Sequence, residues 1–343
     1  FSYFFFNEEI GIKIILESPS DGYFFYPFVK FLSILDFNNS YDPNINNLKN
    51  IPFPLYGIFL HSFFFKIFGS FGFIISELFC IFLFIIIFYF IFKKFNFSKI
   101  VSTILTLFLF VLPILLEVVN LKSIMYLSNL EQFYNLRFQS PLVVNLVLFY
   151  FVLFLLDLSN KEIFQVKNFV ILGFILAFSF TSFYYHFIIE LLSFFIFLIY
   201  KLNFKISSIF KNKIKFYLIS FFIFLILSSP FIINMIYAEA DFSERMGIIN
   251  IDLDKKFILL NYLFKKLIKI EFLIVFISIS TLIYFINKYK FENYYLNNIL
   301  YIIFLSSILA PFIFIIFTPK ISLIYHFTNL ILIFSFLCLF FLF

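Results

Sequence analysis

The side chains able to do chemistry in this chain of 343 residues are few and unevenly placed. There are three histidines, His61, His186 and His326, and two arginines, Arg137 and Arg245, while lysine carries the rest of the positive charge. Among the 19 acids, Glu8 and Glu9 are adjacent, Asp21 precedes Gly22 and a run of aromatics, and Glu131 stands just before Arg137. A carboxylate held beside a hydroxyl can take its proton as the oxygen attacks an electrophile. The planar fork of donors on an arginine fits phosphate or carboxylate, which makes Arg137 and Arg245 candidates for an anion site; a surface or headgroup contact is the plainer role for either alone. There is no P-loop, no dinucleotide fingerprint, no His-Glu-x-x-His and no Cys-x-x-Cys, so nucleotide and zinc chemistry have no local signature.

The elements that must position these groups are membrane helices. Hydrophobic residues make up 63% of the chain and charged residues 13%, against about 25% charged in a soluble domain. Apolar runs long enough to cross a hydrocarbon layer of about 30 Å lie near 73–92, 100–119, 141–157, 168–185, 187–200, 216–236, 272–287, 297–317 and 323–343. The expected fold class is therefore all-α, a polytopic transmembrane bundle of about nine helices forming one membrane domain over 1–343. Lacking an initiator Met and ending inside an apolar run, the sequence reads as a fragment, with ten or more helices expected in the full chain. The bias toward Phe, 66 residues with no Trp, is what an AT-rich coding sequence produces, so most Phe mean only apolar, and Tyr must supply the interfacial anchors. Cys80 and Cys338 fall in apolar runs and read as buried thiols, not a disulfide.

Residues 168–200 are too long for one upright helix and short for two. Lysine placement decides for two, turning near Tyr184, Tyr185 and His186. The loops holding Lys93, Lys94 and Lys99, then Lys161 and Lys167, then Lys201 to Lys215, then Lys288 and Lys290 then share one side, which the positive-inside rule makes cytoplasmic. Long polar segments at 7–70 and 237–271, and a shorter one at 120–140, fall on the other side. Lysines at 255–269 break the simple rule, and an interfacial amphipathic helix around 255–270 accounts for them. This sorting used no acids or histidines, yet it leaves only Asp157, Glu162 and Glu292 inside, with 16 of 19 acids, every histidine and both arginines outside. Glu77, Glu117, Glu190 and Glu271 are expected near outer helix ends, leaving no charge at mid-depth, which counts against an ion-coupled transporter. The net charge of +6 suits anionic lipid headgroups and not nucleic acid.

The first outer segment reads Asp21-Gly22-Tyr23-Phe24-Phe25-Tyr26-Pro27, then Ile51-Pro52-Phe53-Pro54-Leu55-Tyr56, then Phe65-Lys66-Ile67-Phe68-Gly69 ahead of a membrane helix. An acid followed by aromatics, a Pro-x-Pro-Leu-Tyr element and a Phe-x-x-Phe-Gly element resemble the GT-C superfamily, multi-pass glycosyltransferases that use polyprenyl-phosphate-linked sugars. The likeness covers about residues 8–80; beyond them it extends only to helix count and loop sidedness. It implies a polyprenyl-phosphate-sugar donor, a glycan, lipid or protein acceptor, and an active site on the extracytoplasmic face of a bacterial inner membrane. The general base would be Asp21, with Glu8 and Glu9 as rivals. Arg137 and Arg245, with Lys320 and His326 as weaker candidates, would clamp the lipid phosphate. Tyr23, Tyr26 and Glu131 would support the acceptor or the loop. No cofactor is certain and a divalent cation stays open. The rival functions are a transporter or flippase of lipid-linked glycans, or another outer-face glycan polymerase or ligase.

Overall fold

The computed structural model describes residues 29–35, 55–118, 142–159, 161–202, 213–237, 249–318, 320–321 and 325–342. Within them lie a short helix at 29–33, eleven further helices and one two-residue strand pair. A short apolar helix, α1 (Leu55–Phe68), leads into α2 (Phe71–Lys94) and α3 (Lys99–Val118). Then come α4 (Leu142–Ser159), α5 (Val166–Ser182), α6 (Tyr184–Lys201) and α7 (Ile214–Tyr237). Strand β1 (Ile249–Asn250) precedes α8 (Leu253–Leu267), α9 (Ile270–Tyr289) and α10 (Tyr294–Phe317); β2 (Lys320–Ile321) precedes α11 (Tyr325–Leu342). All nine expected spans are helices, with ends within a few residues of those read from the apolar runs. Five of them, α2, α6, α7, α9 and α10, are long and apolar enough to cross a membrane, and α3, α4, α5 and α11 are shorter apolar helices. The protein is an all-α, polytopic integral membrane protein.

The segment 168–200 is two helices, as lysine placement required. Only Phe183 separates α5 from α6. Residues eleven apart in one straight helix would be about 16 Å apart, yet the Ser179 hydroxyl donates to Glu190 Oε1 at 3.0 Å. Phe169 and Phe194, near the far ends, also meet, with ring centroids 5.9 Å apart. The chain therefore reverses direction across a single residue.

Packing explains which helices face lipid. Helix α4 is apolar on every side, and Leu148, Phe149, Phe151, Leu155 and Leu156 are all fully buried; it touches α2, α5, α6 and α10. An all-round apolar helix belongs in the middle of a bundle. Helix α3, by contrast, packs mainly on α2 and leaves Ile100 73% and Ile104 58% exposed. Helix α7 does the same with Phe222 and Ile226. Contiguous apolar surface of this kind is what acyl chains cover. Two glycines permit close approach of backbones. A Cβ on Gly72 would run into the backbone of Phe64, which lets α1 lie on α2, and one on Gly173 would sit 2.8 Å from the Ser220 carbonyl oxygen of α7. Small residues at membrane helix crossings serve this purpose.

The lysine-bearing loops gather at one end of the bundle. There Asp157 of α4 pairs with Lys94 of α2, and with Lys161 at 3.3 Å. Lys201 donates to the Ser159 carbonyl. Asn96 and Asn293, both left-handed with φ of 65° and 64°, clasp two loops: Asn96 Nδ2 donates to Asn293 Oδ1 and Asn293 Nδ2 to the Phe95 carbonyl. Asn287 and Asn298 exchange amide hydrogen bonds of 2.8 and 2.7 Å, and Asn298 also donates to the Tyr200 hydroxyl. Cys80 and Cys338 are buried free thiols.

The interfacial helix expected at 255–270 is α8. Asp252 caps it, accepting from the Lys255 backbone N–H at 2.8 Å, and Lys265 and Lys266 stand in its last turn, where they complement the dipole. Leu253, Phe257 and Phe264 share one exposed stripe by their spacing, while Leu263 is buried with Ile251 and Ile315. Lys256 Nζ donates to the Ile316 carbonyl, fixing α8 to the end of α10.

Candidate functional site

The end of the bundle opposite Lys94, Lys161 and Lys201 carries buried polar groups from several helices. Three lie on α6 at His186, Glu190 and Ser193, spaced four and three residues apart, so they form one stripe. Each is essentially inaccessible to solvent. His186 makes a hydrogen bond to the Val144 backbone carbonyl at the start of α4 and interacts electrostatically with His326 of α11. Among the described residues its other ring nitrogen, Nδ1, has no hydrogen-bond partner, nor do Glu190 Oε2 and Ser193 Oγ. Serines elsewhere in these helices satisfy themselves locally: Ser306 donates to Ile302, Ser307 to Phe304 and Ser335 to Leu332. Ser179 departs from that pattern by donating to Glu190, while Ser193, like Ser70 and Ser228 elsewhere, has no partner among the described residues.

Aromatic rings close this end. Phe183, the turn residue, meets His186 edge-on at 4.8 Å and His326 at 5.0 Å between ring centroids. Tyr185 also lies 5.0 Å from His326, and its hydroxyl accepts from that of Tyr184.

Helix α1 docks on the same end. The Gly57 N–H donates to Ser182 Oγ in the last turn of α5, at 3.0 Å. The Tyr56 hydroxyl donates to the Leu227 carbonyl of α7 at 2.6 Å. That part of α7 is loosened by Pro230, which has no N–H for the Ile226 carbonyl; the Ser229 hydroxyl donates to it instead, at 2.7 Å. On α1 itself, His61 is buried. Ser76 gives its proton to the Phe73 carbonyl, so its bond of 2.6 Å with His61 Nδ1 has the ring as donor. Gly69, at φ 59°, ends α1 in a left-handed turn, its N–H donating to the Phe65 carbonyl. The Phe-x-x-Phe-Gly element is thus a helix stop followed at once by α2.

Asp21, Glu8, Glu9, Tyr23, Tyr26, Glu131, Arg137 and Arg245 lie outside the described residues. Lys320 pairs through its backbone with Asn250, as Ile321 does with Ile249, so the segment after α10 is tied to the one before α8. His326 is brought to the polar end, in the first turn of α11 beside Phe183 and Tyr185. One expectation needs correcting. Glu190 is not in the outermost turn of its helix: it is the seventh residue of α6, about 9 Å below the turn at 1.5 Å per residue, and it is fully buried. The bundle therefore does carry an ionisable group well inside its apolar depth. Its signal was the spacing of His186, Glu190 and Ser193 within an otherwise apolar run. Among the described residues no three His, Cys, Asp or Glu come together as metal ligands.

Comparison with protein-family models, with curated proteins and with solved structures finds no match in any of the three. What fold and site define is a class: a polytopic helical membrane protein whose buried Glu190, His186 and His61 sit away from the end that holds Lys94, Lys161 and Lys201.

Proposed function

We propose that the chain is a GT-C-like glycosyltransferase, moving a sugar from a polyprenyl-phosphate carrier to an acceptor on the extracytoplasmic face of a bacterial inner membrane. The acceptor hydroxyl forms a bond to the anomeric carbon, the bond from that carbon to the carrier phosphate breaks, and the hydroxyl proton passes to Asp21, with Glu8 and Glu9 as the alternative bases. Arg137 and Arg245, aided by Lys320 and His326, stabilise the charge growing on the departing phosphate. Tyr23, Tyr26 and Glu131 support the acceptor or the loop. The observation that carries this reading is the docking of Tyr56 and Gly57 onto α7 and α5. It ties Tyr56, the last residue of the Pro-x-Pro-Leu-Tyr element, and Gly57 after it to α7 and to the last turn of α5, at the end that the lysine rule assigns to the outside.

The test is transfer of labelled sugar from a polyprenyl-phosphate donor by membranes containing the full-length chain. Asp21→Asn should abolish transfer with expression retained, and Arg137→Ala should lower it sharply. Retained activity in Asp21→Asn moves the base to Glu8 or Glu9, and no transfer to any acceptor by the native chain refutes the reading. The buried Glu190 favours a second one, a transporter or flippase of lipid-linked glycans. It predicts that labelled lipid-linked glycan crosses the bilayer with its phosphate bond intact.

A further inference from the structure

Helix α8 ends in a cluster of lysines at the level where the chain enters the membrane. With about 100° between successive residues, Leu253, Phe257 and Phe264 fall within about 40° of one another, and all three are exposed. Leu263, about 100° round from Phe264, is the one buried with Ile251 and Ile315, so the bundle covers one flank of α8 and leaves the stripe outside it. Two of the lysines in this stretch act within the fold: Lys255 pairs with Asp252 at 3.3 Å, and Lys256 holds the Ile316 carbonyl. Lys265, Lys266 and Lys269 lie where α8 meets α9, with the Lys266 ammonium 5.6 Å from the Tyr262 ring centroid. The acids of the stretch are Asp252 and Asp254 at the opposite end of α8 and Glu271 in the first turn of α9. From Ile270 onward α9 is long and apolar enough to cross a membrane, and its Ile270, Leu273 and Ile274 are exposed.

The three lysines therefore stand where hydrocarbon gives way to headgroup phosphates, with exposed apolar surface on both sides of them. Lysine stems lie along such surface while the ammonium reaches the phosphate. A zwitterionic leaflet covers the stripe but brings no net counter-charge, and a soluble acidic partner brings the charge but leaves the apolar face wet. A lipid of net negative charge supplies both. We propose that α8 and the first turns of α9 form a docking surface for anionic phospholipid, with headgroup phosphates at Lys265, Lys266 and Lys269 and acyl chains along Phe257, Phe264 and Ile270. This surface stands independently of the sugar-transfer reading, since nothing in it depends on Asp21 or the arginines.

The 343 residues contain no tryptophan, so Phe264→Trp places a fluorophore beside the cluster, read with the emission of the parent chain subtracted. The full-length variant in phosphatidylcholine vesicles receives a minor fraction of brominated phosphatidylglycerol or, in parallel, of brominated phosphatidylcholine; bromine quenches only at close range. Phosphatidylglycerol should quench as though enriched about five-fold or more at the helix, the scale of one lysine's attraction to an anionic surface. The enrichment should shrink as salt is raised. Lys265→Gln, Lys266→Gln and Lys269→Gln combined should bring it close to one, while brominated phosphatidylcholine still quenches because the stripe stays in the leaflet. Three results overturn the proposal: equal quenching by the two lipids before the lysines are replaced, enrichment that survives their replacement, or no quenching by either lipid, which means that protein covers the stripe. Phe264 packs on Phe312, with ring centroids 5.0 Å apart; should Phe264→Trp misfold, Ile270→Trp is the reporter and the same outcomes decide.

Discussion

Replacing Gly173 tests the close packing of α5 on α7. A Cβ there would lie 2.8 Å from the Ser220 carbonyl oxygen and 2.9 Å from Ile223 Cβ, 0.6 Å short of an ordinary contact at 3.4 Å from the first of these. The obstacle is backbone and a β-branched side chain, neither of which can swing away. Alanine gains up to about 1 kcal/mol of helix propensity over glycine and loses about 1–3 kcal/mol to overpacking, so Gly173→Ala should fall between neutral and about 2 kcal/mol less stable. Valine adds two methyls in the same space and gives back most of the propensity gain. Gly173→Val should cost about 3 kcal/mol, the upper part of the overpacking range. With no tryptophan in the chain, the readout is helix loss by far-UV circular dichroism as denaturing detergent is titrated into mixed micelles. Gly173→Val matching the native protein within about 0.5 kcal/mol would refute the close crossing of α5 and α7.

Asn298→Leu should cost about 1–3 kcal/mol, because it strips Asn287 of both amide bonds at the lysine end; the same detergent titration checks it, and Asn298→Gln should not restore the loss. The Lys255 backbone N–H, with the nearby Lys255 ammonium, holds the Asp252 carboxyl below its ordinary value. Its capping bond is therefore fully formed above the unfolded carboxyl range, near pH 4, and is lost as pH falls through the lower folded value. Amide exchange in the first turn of α8 should accelerate on acidification, and Asp252→Ala should show that faster exchange already at neutral pH.

The spans were legible because lipid imposes a length and an apolarity that a run of residues either meets or does not. The hairpin at Phe183 needed a second kind of information, lysine sidedness, since apolarity alone treats 168–200 as one run. Helix α8 was readable from lysines that broke the charge rule, because an amphipathic helix on a surface is the arrangement that lets them stay wet. Glu190 was misplaced because counting from a loop gives depth along a helix only when the turn is known to the residue. Its partners, Ser179 and Val144, come from other helices, and no local pattern announces a contact across a bundle. The same holds for Tyr56: its motif suggested a functional loop, whereas its hydroxyl reaches α7, 171 positions later in the chain.

The single-residue reversal at Phe183 also bears on how the protein enters its membrane. An apolar run that turns on one residue offers no polar loop on which its two halves could pause separately, so α5 and α6 go in together as a hairpin. Ser179 and Glu190 face each other within that hairpin. The acid, whose kind costs about 2.5–3.5 kcal/mol to insert alone at a helix centre, therefore crosses the interface already hydrogen-bonded to its own neighbour.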